Sequence, residues 1–107
     1  MTTPAYTDPV IARFRAALGE VCSERLERVV LFGSRARGDA TADSDYDVTV
    51  FLSDAGSPWE ESGRLAEIET DILFDTGAVI NALAFPVADY HARTPLMHEL
   101  RRDGREI

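Results

Sequence analysis

The chain has no lysine: all of its 11 basic residues are arginine, and against 19 acids they leave a net charge of −8. That balance repels a phosphate backbone and argues against bulk nucleic-acid binding. Cysteine is nearly absent as well. A lone Cys22 cannot form an internal disulfide, which agrees with a reducing compartment, the cytoplasm. No apolar run reaches membrane-spanning length; the longest uncharged stretch, Thr76 to Ala88, is broken by Asn81 and Pro86. The segment Met1 to Asp8 has no basic region leading into an apolar block, so no secretory leader is expected. Repeats, low-complexity tracts and long linkers are missing too. What remains is globular composition, 45% apolar and 28% charged over 107 residues, which predicts one domain spanning residues 1–107.

Helix grammar opens the chain. Asp8 caps, Pro9 takes the first turn, and Val10, Phe14, Ala17, Leu18 and Val21 recur at helical spacing, predicting a helix to Val21 or Cys22. Leu26 to Phe32 reads as a buried strand and Gly33-Ser34 breaks it. A helical turn, Ser34 to Arg37, ends at Gly38. Residues 39–44 are loop by composition. Asp45 to Leu52 alternates as a second strand, with Tyr46, Val48, Val50 and Leu52 on one face and Asp47, Thr49 and Phe51 on the other. Ser57-Pro58-Trp59-Glu60 has a capping pattern and starts a helix with the stripe Leu65, Ile68, Ile72 and Leu73, stopped by Gly77. Ala78 to Phe85 makes a third strand, closed by Pro86. Thr94-Pro95 then caps a last helix that packs Leu96, Met97 and Leu100 and ends at Gly104. This order predicts an α+β fold, a two-layer arrangement with one sheet covered by helices.

Two short motifs carry the chemistry. A strand that ends in Gly33-Ser34 and turns straight into a helix presents backbone N–H groups able to bind phosphate oxygens. Gly33 lets a phosphate approach the backbone, Ser34 adds a hydroxyl, and Arg37 adds charge. The plainer alternative is a capped turn. Asp45 and Asp47, two apart on a strand, point the same way at about 7 Å along the chain. Like charges so placed call for a cation, and Mg²⁺ bound by carboxylate oxygens keeps positions open for substrate phosphates. Here the alternative is a solvated strand end. Together, with Ser34 and Asp45 eleven residues apart, the motifs meet the needs of nucleotidyl transfer from a triphosphate.

The run Gly33-Ser34-x-Ala36-Arg37-Gly38 followed by Asp45-x-Asp47 resembles the minimal nucleotidyltransferases of the DNA polymerase β superfamily. The resemblance implies a mixed sheet, Mg²⁺ on the two aspartates, and ATP or another nucleotide at the Gly-Ser turn. It also implies a partner: an all-helical HEPN protein, with the nucleotidyltransferase as antitoxin adding AMP to a tyrosine of its toxin. Active members carry a third carboxylate on the strand after the long helix. In this chain that strand has no acid, and Asn81, its only polar side chain, takes the position or else is a buried polar group bonded to neighbouring backbone. An amide offers an oxygen to Mg²⁺ but accepts no proton near neutral pH. Two readings follow: a nucleotidyltransferase, or a nucleotide-binding module of weak or lost activity that neutralises its partner by contact. A third reading, transfer to a small hydroxylated molecule, calls for an acceptor domain that a chain of this length has no room for.

The other polar and aromatic residues are read more plainly. Asp71 and Asp75 are solvated helix surface, Cys22 is core, and His91 and His98 are surface. Trp59 seals the core edge or offers a stacking face. Arg35 and Arg37 hold phosphate, or Arg37 braces the loop onto Asp39 or Asp43.

Overall fold

The computed structural model describes residues 8–54 and 56–107; the stretch from Met1 to Thr7, read above for a leader, lies outside them. Asp8 accepts the N–H groups of Val10 and Ile11 and so opens α1, Pro9–Cys22. A 3₁₀ turn, Ser23–Arg25, leads into β1, Leu26–Phe32. The short α2 (Ser34–Arg37) follows, then β2 (Tyr46–Leu52), α3 (Pro58–Thr76) and β3 (Ile80–Pro86). A second 3₁₀ turn, Val87–His91, precedes α4 (Pro95–Asp103) and the two-residue β4 (Arg105–Glu106).

The sheet is mixed, in the order β3-β2-β1-β4. β1 runs antiparallel to both β2 and β4, whereas β2 and β3 are parallel, with α3 as their crossover. α1 and α3 cover one face, where Phe14, Leu18, Leu31, Val48, Val50, Leu65 and Ile72 form the larger core. The other face carries a second, smaller cluster: Val30 and Phe51 against Met97 and Leu100 of α4. The alternation along β2 produces both faces. Tyr46, Val48, Val50 and Leu52 enter the first core, and Phe51 enters the second.

Several expectations shift by a residue or a face. β2 begins at Tyr46 and β3 at Ile80, because the residues before them enter the sheet without a ladder partner. Val21 and Leu73 are 45% exposed, each in the last turn of its helix. Ser57 precedes α3 without a side-chain cap. Trp59 is 86% exposed and seals no core. Cys22 is buried, while His91, His98, Asp71 and Asp75 are at the surface.

One acid was not anticipated inside. Glu61 is 3% exposed and accepts from Arg25 on both oxygens, at 2.7 and 3.0 Å, and from Arg64 at 2.9 Å. Arg25 also donates to the carbonyl of Asp54, so the pair ties the β2–α3 connection to the end of α1. Glu61→Ala strands a half-buried guanidinium and is expected to lower unfolding stability by about 3 kcal/mol, measured by urea denaturation. Glu61→Gln, which keeps an acceptor, should lose less.

Candidate active site

Parallel pairing of β2 with β3 sets Asp47 opposite Asn81. Both side chains lie on the face of Thr49 and Phe51, where burial rises from exposed Asp45 through half-buried Asp47 to fully buried Thr49. α4 covers the far part of that face and leaves the aspartate end open. There the Asn81 amide donates to Asp45 Oδ2 at 3.2 Å and to Asp47 Oδ1 at 3.5 Å. Two carboxylates therefore converge on one nitrogen. The three residues singled out from sequence come together as one cluster.

Gly33 lies directly over it. Its φ is +73°, a left-handed conformation that side chains resist, and a Cβ there would sit 2.6 Å from Asp47 Oδ2. The turn between β1 and α2 is thus pressed against the acid pair because this one residue has no side chain. Ser34 follows it at the start of α2, where the first N–H groups of a helix have no intrahelical partner. Gly33→Ala should lower stability by roughly 1–3 kcal/mol, the usual scale for a strained backbone residue. It should also push Asp47 from its position; thermal unfolding and divalent-ion titration of the variant measure the two effects.

The donor set suits a hard divalent cation. Among the described residues no group of three acidic, His or Cys side chains gathers for a metal; the third group beside Asp45 and Asp47 is the Asn81 amide. Its N–H groups stand where a cation's charge would stand, and a half-turn about χ2 presents the amide oxygen instead.

The two arginines near the turn face elsewhere. Arg37 is paired with Asp39 at 3.4 Å and with Glu99 of α4 at 3.9 Å. Arg35 donates to the backbone carbonyls of Ser44 and Ala42 and stacks on the Tyr46 ring. Beside Asp45 opens a cavity of about 390 Å³ walled by Arg35, Asp43, Ser44, Tyr46, Gly77 and Val79.

Glu69 was not foreseen. It accepts the Ala82 N–H at 2.9 Å, satisfying an outward amide of the edge strand β3, and it lines a depression together with Asn81. A signal existed: Glu61, Leu65, Ile68, Glu69 and Ile72 share helical spacing, so both acids fall on or beside the apolar stripe. Burial raises the pKa of Glu69 and the Ala82 hydrogen bond partly opposes it. The folded chain then holds this proton more tightly than the unfolded chain does. Stability from this group therefore falls as pH rises from the ordinary carboxylate range through the raised folded pKa. Glu69→Gln retains an acceptor for Ala82 and removes the charge. The variant should melt above the wild type near neutral pH, with the gap closing on acidification.

Two carboxylates at the start of β2 thus lie beside the glycine–serine turn that ends the neighbouring strand β1 of a mixed sheet. The family model described as "Polymerase beta, Nucleotidyltransferase" matches residues 18–107, and the chain belongs to that family. Two presumed protein adenylyltransferases of Methanocaldococcus jannaschii are similar in sequence. One is 38% identical over 45 residues, covering 42% of this chain and 46% of the relative. The other is 33% identical over 76 residues, covering 71% and 70%. The chain thus spans under half of the first relative's length and 70% of the second's. Among solved structures, a toxin–antitoxin crystallised with AMP-PNP superposes with a TM-score of 0.63 at 18% identity, over 89% of this chain and 69% of that one. A presumed minimal nucleotidyltransferase superposes at 0.58 with 23% identity, over 94% and 96%. At such identities the structures speak for the fold: an α+β nucleotidyltransferase fold with a mixed sheet.

Proposed function

We propose that this chain is a Mg²⁺-dependent nucleotidyltransferase that moves AMP from ATP to a hydroxyl of a partner protein. It acts as a single cytoplasmic domain, the antitoxin of a pair whose toxin is a HEPN protein. The observation that carries the reading is the convergence of Asp45, Asp47 and Asn81 beneath Gly33. The presumed adenylyltransferase relatives support AMP as the transferred group, and the toxin–antitoxin likeness supports a protein acceptor. Among the described residues no helix is long and apolar enough to cross a membrane, and no membrane partner is assigned.

Asp45 and Asp47 would hold Mg²⁺, with Asn81 as a neutral third ligand; when bound, the cation neutralises charge on the phosphates and the leaving pyrophosphate. Gly33 and Ser34 seat the triphosphate, whose oxygens accept from the backbone N–H groups and the hydroxyl. Arg37 is assigned a phosphate role at the rim and would exchange Asp39 for the incoming anion. Asn81 accepts no proton, so the acceptor hydroxyl must lose its proton to another group than the one at the family's third-acid position.

That last point favours a second reading specifically: a module that binds nucleotide, has little activity, and neutralises its partner by contact. One experiment separates the two. The chain is co-expressed with a candidate helical partner of the HEPN type, then incubated with labelled ATP and Mg²⁺ or EDTA. Metal-dependent labelling of the partner supports transfer. An unlabelled partner that is still neutralised by Asp45→Ala establishes the binding module.

A further inference from the structure

Asp45 lies outside every strand, one residue before β2, so no ladder hydrogen bond holds it. It is exposed, and its carboxylate must stay close to that of Asp47 against like-charge repulsion. The peptide groups on either side of it are gripped nonetheless. On the far side, the Tyr46 N–H donates to the Val79 carbonyl at 2.9 Å. On the near side, Arg35 closes a fork on the Ser44 carbonyl, with Nη2 at 2.8 Å and Nε at 3.2 Å.

The grip has its own support. The Arg35 guanidinium carbon sits 3.9 Å from the centre of the Tyr46 ring, and its side chain is only 13% exposed. The Tyr46 hydroxyl donates to Asp8 Oδ2 at 2.6 Å, and the same oxygen lies 4.0 Å from Arg35 Nη1. Asp8 in turn caps α1 through its other oxygen. The turn before Asp45 is closed by Thr41 and Ser44: the Thr41 N–H donates to Ser44 Oγ at 2.9 Å and the Ser44 N–H to the Thr41 carbonyl at 3.1 Å. A chain of contacts thus runs from the cap of α1 to the backbone of Asp45, and Arg35 is its centre. The Nε and Nη2 groups of this guanidinium are thus directed at the Ser44 and Ala42 carbonyls.

We infer that Arg35 is a positioning residue for divalent-cation binding, fixing Asp45 through the Ser44 carbonyl, and is no ligand of phosphate. The inference rests on the metal reading above. It explains why arginine stands here: a planar fork grips one carbonyl with two N–H groups while stacking on an aromatic ring, which an ammonium group does not reproduce. Preorganised ligands bind a cation without first being drawn together.

The test uses the full chain, Mn²⁺ as the probe ion followed by its EPR signal, and ATP binding measured separately in EDTA. Arg35→Ala and Arg35→Lys are both expected to weaken Mn²⁺ about 10- to 100-fold, the scale for groups that orient metal ligands. Metal-free ATP binding should stay at the wild-type level in both. Should Arg35→Ala fail to fold, Arg35→Lys carries the test, read well below its melting temperature; a merely structural arginine would leave Mn²⁺ affinity in the folded variant unchanged, and that result overturns the inference. Loss of metal-free ATP binding in Arg35→Ala with rescue by Arg35→Lys overturns it too, because charge on phosphate would then be the role. Asp45→Ala is the reference. If it binds Mn²⁺ as the wild type does, the metal reading itself falls, and the Arg35 inference falls with it.

Discussion

Asp47→Asn is expected to lower AMP transfer by about three orders of magnitude, read as pyrophosphate release from ATP in the presence of the acceptor. The substitution keeps the shape of a half-buried side chain under Gly33 and removes one negative charge from the cluster. A metal that polarises phosphate contributes several kcal/mol to the transition state, and each 1.36 kcal/mol is tenfold in rate. Asp45→Asn should follow the same course, since the two oxygens meet at one Asn81 nitrogen. Melting temperature should hold or rise in both variants, because a pair of like charges is relieved. A rate within tenfold of wild type in Asp47→Asn would remove the acid pair from the mechanism.

Asn81→Asp is expected to act in the opposite direction. It restores a carboxylate at the position opposite Asp47 in the parallel register. With Mg²⁺ present, transfer should rise by about 10² to 10⁴-fold, the contribution of a placed general base. Divalent affinity should rise with it. Without metal the same change replaces a hydrogen-bond donor by a third negative charge, so the melting temperature should fall in EDTA and recover on adding Mg²⁺. The crossing of the two effects is the diagnostic feature. If neither affinity nor rate responds to the aspartate, Asn81 is not a metal neighbour, and its hydrogen bonds to the pair are only packing.

Much of this site was legible beforehand because it is local. The passage from strand through glycine to the serine that starts the helix is consecutive, Phe32-Gly33-Ser34, and its conformation follows from the left-handed freedom of Gly33 and the end of an apolar run. Asp45 and Asp47 fall on one face by alternation alone. The β2 pattern also foretold which side chains go to which face. Where sequence reading missed, a distant element decided. Arg35 carries a free charge when read along the chain, yet the folded loop turns the Ser44 and Ala42 carbonyls onto it and Tyr46 beneath it. Trp59 has the apolar bulk of a core residue, but it stands at the first turn of α3, where among the described residues no element covers it. Glu61 was missed because its partner Arg25 is 36 residues away.

The sequence by itself determined the four helices and the first three strands, the glycine–serine bend, the acid pair and the position of Asn81 on the strand after the long helix, since each depends on neighbours within a few residues; the two 3₁₀ turns and the two-residue β4 were not foreseen. Only the tertiary structure decided that β3 lies parallel to β2 with Asn81 opposite Asp47, that Gly33 presses on the Asp47 carboxylate, and that Arg35 serves the backbone of Asp45. Those are contacts between segments whose pairing register and crossover are set by burying both faces of the sheet at once, and no local pattern encodes that choice.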